Sequence, residues 1–182
     1  MSQLRSNSIL RPADDKLLLR KEGCVLQTIT AATYSSVYEN TTNNSEYDMP
    51  GDLGDGDAQI TPAFSDSRIL FTAVVHCGAN ATWRQNYFKT YYKIGGGGWT
   101  QFNGSFGSNM YNGSTNGMSQ TITVSYLLSS LSTTSTVSFK ITQIGHANGG
   151  YLHLNKNKQS NSSSSDNDAS VVSQIILQEI GQ

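Results

Sequence analysis

The chain has 182 residues, with twelve Lys plus Arg against thirteen Asp plus Glu and a net charge of −1. That length suits one hydrophobic core, and the near-neutral balance excludes overall electrostatic attraction to nucleic acid or an anionic membrane. No apolar run nears the ~20 residues needed to cross a bilayer, and the N-terminus lacks the apolar stretch of a signal peptide, so no membrane insertion or export is expected.

Residues 1–22 carry a Pro-Ala-Asp-Asp turn, basic residues and a few apolar side chains. Leu4, Ile9, Leu10, Leu17, Leu18 and Leu19 are too few to build a core, so this segment reads as an extended arm that packs on something else. Gly23 ends it, and the pattern that follows has period two, the mark of strands with one buried and one wet face. RILFTAVVHC puts Ile69, Phe71, Ala73, Val75 and Cys77 on one face, with Leu70 and Val74 on the other, as in a central strand. QTITVSYLL alternates Ile122, Val124, Tyr126 and Leu128 with hydroxyl residues, and STVSFKITQ alternates Val137, Phe139 and Ile141 with polar ones; the two read as a hairpin-like pair. SVVSQIILQEI is apolar on both parities, which predicts a strand covered on both faces, in the sandwich or at a subunit interface. Shorter strands are expected at 25–30, 34–39, 58–61, 84–94, 98–103 and 151–154, between turn clusters such as PGDLGDGD, GGGG and HANGG. SNSSSSDNDAS, residues 160–170, is a polar low-complexity loop. The expected fold is all-β: an antiparallel two-sheet sandwich over 23–182, jelly-roll-like, with the arm in front.

No catalytic motif is present: there is no GxSxG, HExxH, P-loop or dinucleotide fingerprint, so no catalytic residue, enzyme activity or cofactor is assigned. His76, His146 and His153 lack metal-ligand spacing. Asp52, Asp55 and Asp57 cluster as a hard cation would require, but without the spacing of a calcium loop; Asp with Gly is ordinary turn chemistry, and no metal site is assigned. Cys24 and Cys77 sit in strand-like apolar surroundings without CxxC spacing and read as buried free thiols. Trp83, Tyr87 and Tyr91 share one strand parity, opposite Phe88, Tyr92 and Ile94, with Trp99 close behind. Exposed aromatics of this kind stack on sugar rings or anchor protein contacts, and the few neighbouring basic residues do not favour nucleic acid.

The order of these pieces resembles short tail-fibre-like or decoration virion structural proteins of tailed bacteriophages, of the marine cyanophage type. The matching pieces are the opening MSQLRSNSILRP, the first strand GCVLQTIT, the stretch AQITPAFSDSRILFTAVV, the hairpin YYKIGGGGWT and the closing SVVSQIILQEIGQ. The likeness covers 23–182, with the arm matching more loosely, and the acidic DLGDGD loop and the Ser-rich stretch depart from it. It implies a non-enzymatic jelly-roll domain, homotrimeric, docked on the particle through its arm beside other virion proteins. A host-surface glycan or receptor is its implied outward contact, and a head-decoration role or a free glycan-binding module are the alternatives.

Overall fold

The computed structural model describes residues 9–10, 17–18, 22–33, 37–41, 45–79, 84–110, 118–129, 131–145, 150–155 and 171–182. The β-branched, period-two segments form strands as expected. In chain order they are β1 Ile9–Leu10, β2 Leu17–Leu18, β3 Val25–Thr33, β4 Val37–Thr41, β5 Glu46–Asp48, β6 Ala58–Ile60, β7 Arg68–Ala79 and β8 Arg84–Ile94. There follow β9 Thr100–Gln101, β10 Phe106–Met110, β11 Met118–Leu128, β12 Val137–Gly145, β13 Gly150–Leu154 and β14 Ser173–Ile180, and one 3-10 turn spans Gly51–Leu53. β1 pairs with β2 in an antiparallel ladder of its own. Leu4 and Leu19 of the arm lie outside the described residues, as do His146 and the Ser-rich loop.

All other strands fall into two sheets of six segments each. Several segments are halves of one chain path. β13 and β14 run end to end along one edge of β7, Leu154 facing Cys77 and Gln174 facing Val74. β3 and β4 continue one another along β14 and β13. In the second sheet β5 and β6 share one edge of β12, while β9 and β10 share one edge of β8. The first sheet therefore runs β11, β7, β13/β14, β3/β4, and the second β9/β10, β8, β12, β5/β6. This alternation of consecutive paths between two antiparallel sheets is the jelly-roll topology.

Between the sheets lie Ile69, Phe71, Ala73, Val75 and Cys77 of β7, Ile175 and Leu177 of β14, Phe88 of β8, and Val137, Phe139 and Ile141 of β12, all buried. An aromatic cluster bridges the layers: Phe71 meets Phe102 edge-on at 5.1 Å and Phe139 at 5.7 Å, and Phe102 meets Phe139 at 5.8 Å. Such pairs add to the area term that already favours burying these rings. Cys24 and Cys77 are free thiols, the first half-buried and the second buried; burial pushes the Cys77 thiol up to about 12.

A polar knot sits where β13 leaves the sheet and β14 re-enters it. Asn155, 1% exposed, donates its amide to the Thr33 carbonyl at 2.8 Å and accepts from the Ser173 hydroxyl at 2.6 Å. Ser173 in turn accepts the His76 N–H at 2.9 Å, and the Asn155 N–H bonds the His76 carbonyl at 2.9 Å. Asn155 adopts φ 57°, a left-handed conformation that asparagine tolerates better than most residues. At the far end of β14, Glu179 is fully buried and its carboxylate accepts from the Ala63 N–H at 2.8 Å and from the Gln27 side-chain amide at 2.6 Å. That bond set ties the turn before β7 to the end of the sandwich.

Two expectations are corrected. β11 and β12 are not a hairpin: β11 pairs with β7 in one sheet and β12 with β8 in the other. Leu128 and the half-buried Leu131 pack on the core at the crossing, so the Ser/Thr linker carries the chain between layers. Within one chain the sandwich covers one parity of β14: Ile175 and Leu177 face the core, while Ile176 and Ile180 stay half-buried on the outer face, the parity for which a subunit interface was the expected cover. The stretch 98–103 contracts to Thr100–Gln101 because Phe102 turns into the aromatic cluster.

Asn155→Ala and Asn155→Gly should each destabilise the fold by about 2–3 kcal/mol in urea denaturation, because both orphan Ser173 and Thr33. The glycine variant keeps the left-handed backbone, so its loss isolates the side-chain bonds. Thiol labelling at neutral pH should modify Cys77 only as fast as the chain unfolds.

Candidate functional site

Strand alternation that buries Phe88, Phe139 and Ile141 aims the intervening residues of β8, β12 and β5 outward. Across the ladders Lys140 faces Tyr91, Thr142 faces both Lys89 and Asp48, and Ser138 faces Lys93. Glu46, at the start of β5, collects three donors: Lys89 Nζ at 2.7 Å, Tyr91 OH at 2.6 Å and Thr142 Oγ1 at 2.6 Å. Lys140 pairs with Asp48 beside it.

Trp99 reaches this face from the Gly95–Gly98 turn. Gly95 has φ +52°, the left-handed region that glycine enters without cost, and its N–H bonds the Thr136 carbonyl at 2.8 Å. Lys93 Nζ and Lys140 Nζ lie 4.8 Å and 4.9 Å from the indole centroid, so two cation–π contacts hold the ring to the sheet. On the ring's other flank is buried Gly56, with φ +92°, where an added Cβ would lie 3.0 Å from Trp99 Cη2. Glu46, Tyr47, Asp48, Tyr91, Trp99, Lys140 and Thr142 line an open pocket of about 300 Å³.

Burial alone would raise the Glu46 carboxyl, but hydrogen bonds from Lys89, Thr142 and Tyr91 and the Lys89 charge outweigh it and hold it at about 2. The Lys89 ammonium is raised, first by its bond to Glu46. Burial and then the bond to Glu46 raise the Tyr91 hydroxyl. Glu46 is therefore ionised at any working pH and cannot serve as a general acid. The pocket offers an aromatic wall, fixed carboxylates and ammonium groups, a set suited to holding a polar ligand such as a sugar by stacking and hydrogen bonds.

Of the aromatics singled out in the sequence, Tyr91, by strand parity, and Trp99, which follows the glycine turn, come together in this pocket. Tyr87 lies on the same face, 36% exposed and opposite Ile144. Trp83 lies outside the described residues. Glu46, Asp48 and Lys140 join the site without any sequence signal beyond the polar-apolar-polar alternation of Glu-Tyr-Asp before Pro50. Asp52, Asp55 and Asp57 bring carboxylate oxygens within 4.8 Å of one another, and Asp55 already accepts the Asp57 N–H at 3.0 Å, the local bond of an Asx turn. His76 Nδ1 bonds Thr121 Oγ1 at 2.6 Å on the other sheet.

Glu46→Gln should lower stability by about 1 kcal/mol at neutral pH, discounted for its partial exposure. The folded-state value lies below the ordinary 4.5, so this contribution is complete above 4.5 and disappears as pH falls towards 2. The gap between native and variant chains should thus close in acid, followed by circular dichroism; a gap independent of pH would contradict the assignment.

No helix among the described residues is long and apolar enough to cross a membrane. No family model matches the chain, and no curated protein matches it. A solved structure described as "Structure of infectious bursal disease virus Gx strain" is similar to it at a TM-score of 0.40 and 11% identity, covering 95% of this chain and 45% of that one. The chain thus spans less than half the length of that neighbour.

Proposed function

We propose that this chain is a non-enzymatic virion structural protein that works by assembly, as a homotrimeric tail-fibre-like or host-contact component docked on a bacteriophage particle through its arm, residues 1–22. The observation that carries the reading is the outer face of the β11–β7–β14 sheet. Strand parity there presents Leu70, Thr72, Val74, Thr123, Ser125, Leu127, Gln174, Ile176, Gln178 and Ile180, with Leu127 45% exposed. Arg68 lies at one end of this face, and the ionisable His76, bonded to Thr121, lies towards the other. An uncharged, half-apolar sheet face has the composition of an interface core, while the second sheet carries the charged and aromatic pocket suited to outward contact. The jelly-roll path fits capsid and lectin domains alike, and by itself it decides no function. The resemblance to tailed-phage virion proteins favours the particle.

Removing residues 1–22 should abolish incorporation into particles and leave the trimer intact in sedimentation. Unchanged incorporation would refute docking through the arm. A head-decoration role is the alternative within the same class, separated by where a labelled chain sits on the particle.

The Tyr91–Trp99 pocket favours a second reading, glycan binding. Trp99→Ala should then weaken binding on a glycan array roughly ten-fold or more; an array on which the native chain finds no ligand would remove it.

A further inference from the structure

The two sheets have four outer edges, and three carry features that blunt strand addition. The β5/β6 edge consists of two three-residue strands separated by Pro50 and the 3-10 turn, and it carries Glu46 and Asp48. The β9/β10 edge is split into two and five residues. The β3/β4 edge has a register irregularity where Val25 meets Ile180.

β11 differs in each respect. It runs eleven residues, MSQTITVSYLL, without a charge, a proline or a break in its ladder to β7. Among the described residues no strand is hydrogen-bonded to its other edge, although β10 of the second sheet packs near it. Its inward side chains Ile122 and Val124 are only partly buried, and Tyr126 is 42% exposed. An edge row of backbone N–H and C=O groups with apolar side chains beside it is a template for another strand.

We propose that a second copy of this chain adds its own β11 antiparallel to this edge, across a twofold axis at Thr123. The sequence is complementary to itself about that point. Thr123 is the midpoint of Met118–Leu128, so this register pairs all eleven residues. It sets Ile122 against Val124 and Gln120 against Tyr126 on the inward face, and Thr121 against Ser125 and Thr123 against Thr123 on the outward face. Like meets like in the five central positions, β-branched Ile122 against Val124 and hydroxyl against hydroxyl at 121/125 and 123/123, while Gln120 meets Tyr126 and Ser119 meets Leu127 further out. An uncharged strand meets its copy without repulsion, and the partner strand covers the open side of Ile122 and Val124. The two first sheets become one continuous sheet through an isologous contact. The trimer of the proposed function uses the outer sheet face, to which the side chain of Thr123 also belongs, whereas this pairing uses the backbone edge of the same strand; the two share the premise of assembly.

Native mass spectrometry and sedimentation should find even-numbered species, twice the mass of whatever unit the faces alone would form. Thr123→Lys and Thr123→Asp each place like charges across the axis and should weaken the pairing roughly ten-fold or more, halving the mass; Val74→Lys, which charges the same outer face beside Thr123 but lies off the edge, should leave the pairing intact. An equimolar mixture of the two Thr123 variants should restore it. Thr123→Cys, close to the native size, should oxidise to a 123–123 disulfide, because directly opposed residues bring their Cα atoms within about 4.5–5.5 Å. Ser125→Cys, which faces Thr121, should not cross-link to itself. A native chain with only odd-numbered species, unchanged masses in both Thr123 charge variants, or equal cross-linking at 123 and 125 would overturn the proposal. A trimer that never doubles would overturn it and leave the face-mediated assembly standing.

Discussion

The sheet built around β7 depends on the buried bonds between Asn155, Ser173, Thr33 and His76. Three chain paths meet there: β7 through His76, the interrupted β13/β14 path through Asn155 and Ser173, and β3 through Thr33. These bonds fix where β14 resumes the line of β13 after the intervening polar loop, and the burial of Ile175 and Leu177, which a one-residue slip would turn away from Phe71 and Phe139, fixes the same register. The knot converts a long insertion into a local event. Its members are polar and buried, so the arrangement tolerates little loss: each removed partner orphans another group.

With that sheet in register, the two outer faces can differ in chemistry. The second sheet wears its charges and aromatics outside, and these are committed to one another: Glu46 to Lys89, Tyr91 and Thr142, Asp48 to Lys140, Trp99 to Lys93 and Lys140. Such a network fixes the short edge strand β5 and presents a shaped surface without supplying a titrating acid or base. The first sheet is nearly uncharged outside and leaves Ile176, Ile180 and Leu127 incompletely covered. On the proposed reading, this less charged face is the one that meets a protein neighbour.

Much of the sandwich was legible because long strands with period-two alternation announce their own burial. β7, β8, β12 and β14 were read from residues such as Phe71, Phe88, Phe139 and Leu177, which the fold buries. Partnership was not legible, because alternation reports which face is covered and not by what; the β11–β12 hairpin failed for that reason. Three-residue β5 and the Gly- and Asn-bearing β10 lacked the length for any pattern. Parity found Tyr91, and Trp99 stood out as an aromatic beside it, but Glu46 lies 96 positions from Thr142, and only the sheet pairing brings its carboxylate to the site.

The claim that this domain acts through assembly is tested most directly by a reconstruction of the protein in its native particle. The account predicts a neighbouring subunit against the uncharged outer face of β7 and β14, with the Tyr91–Trp99 pocket facing solvent. A reconstruction with the β7–β14 face in solvent and the pocket buried against the particle would contradict it.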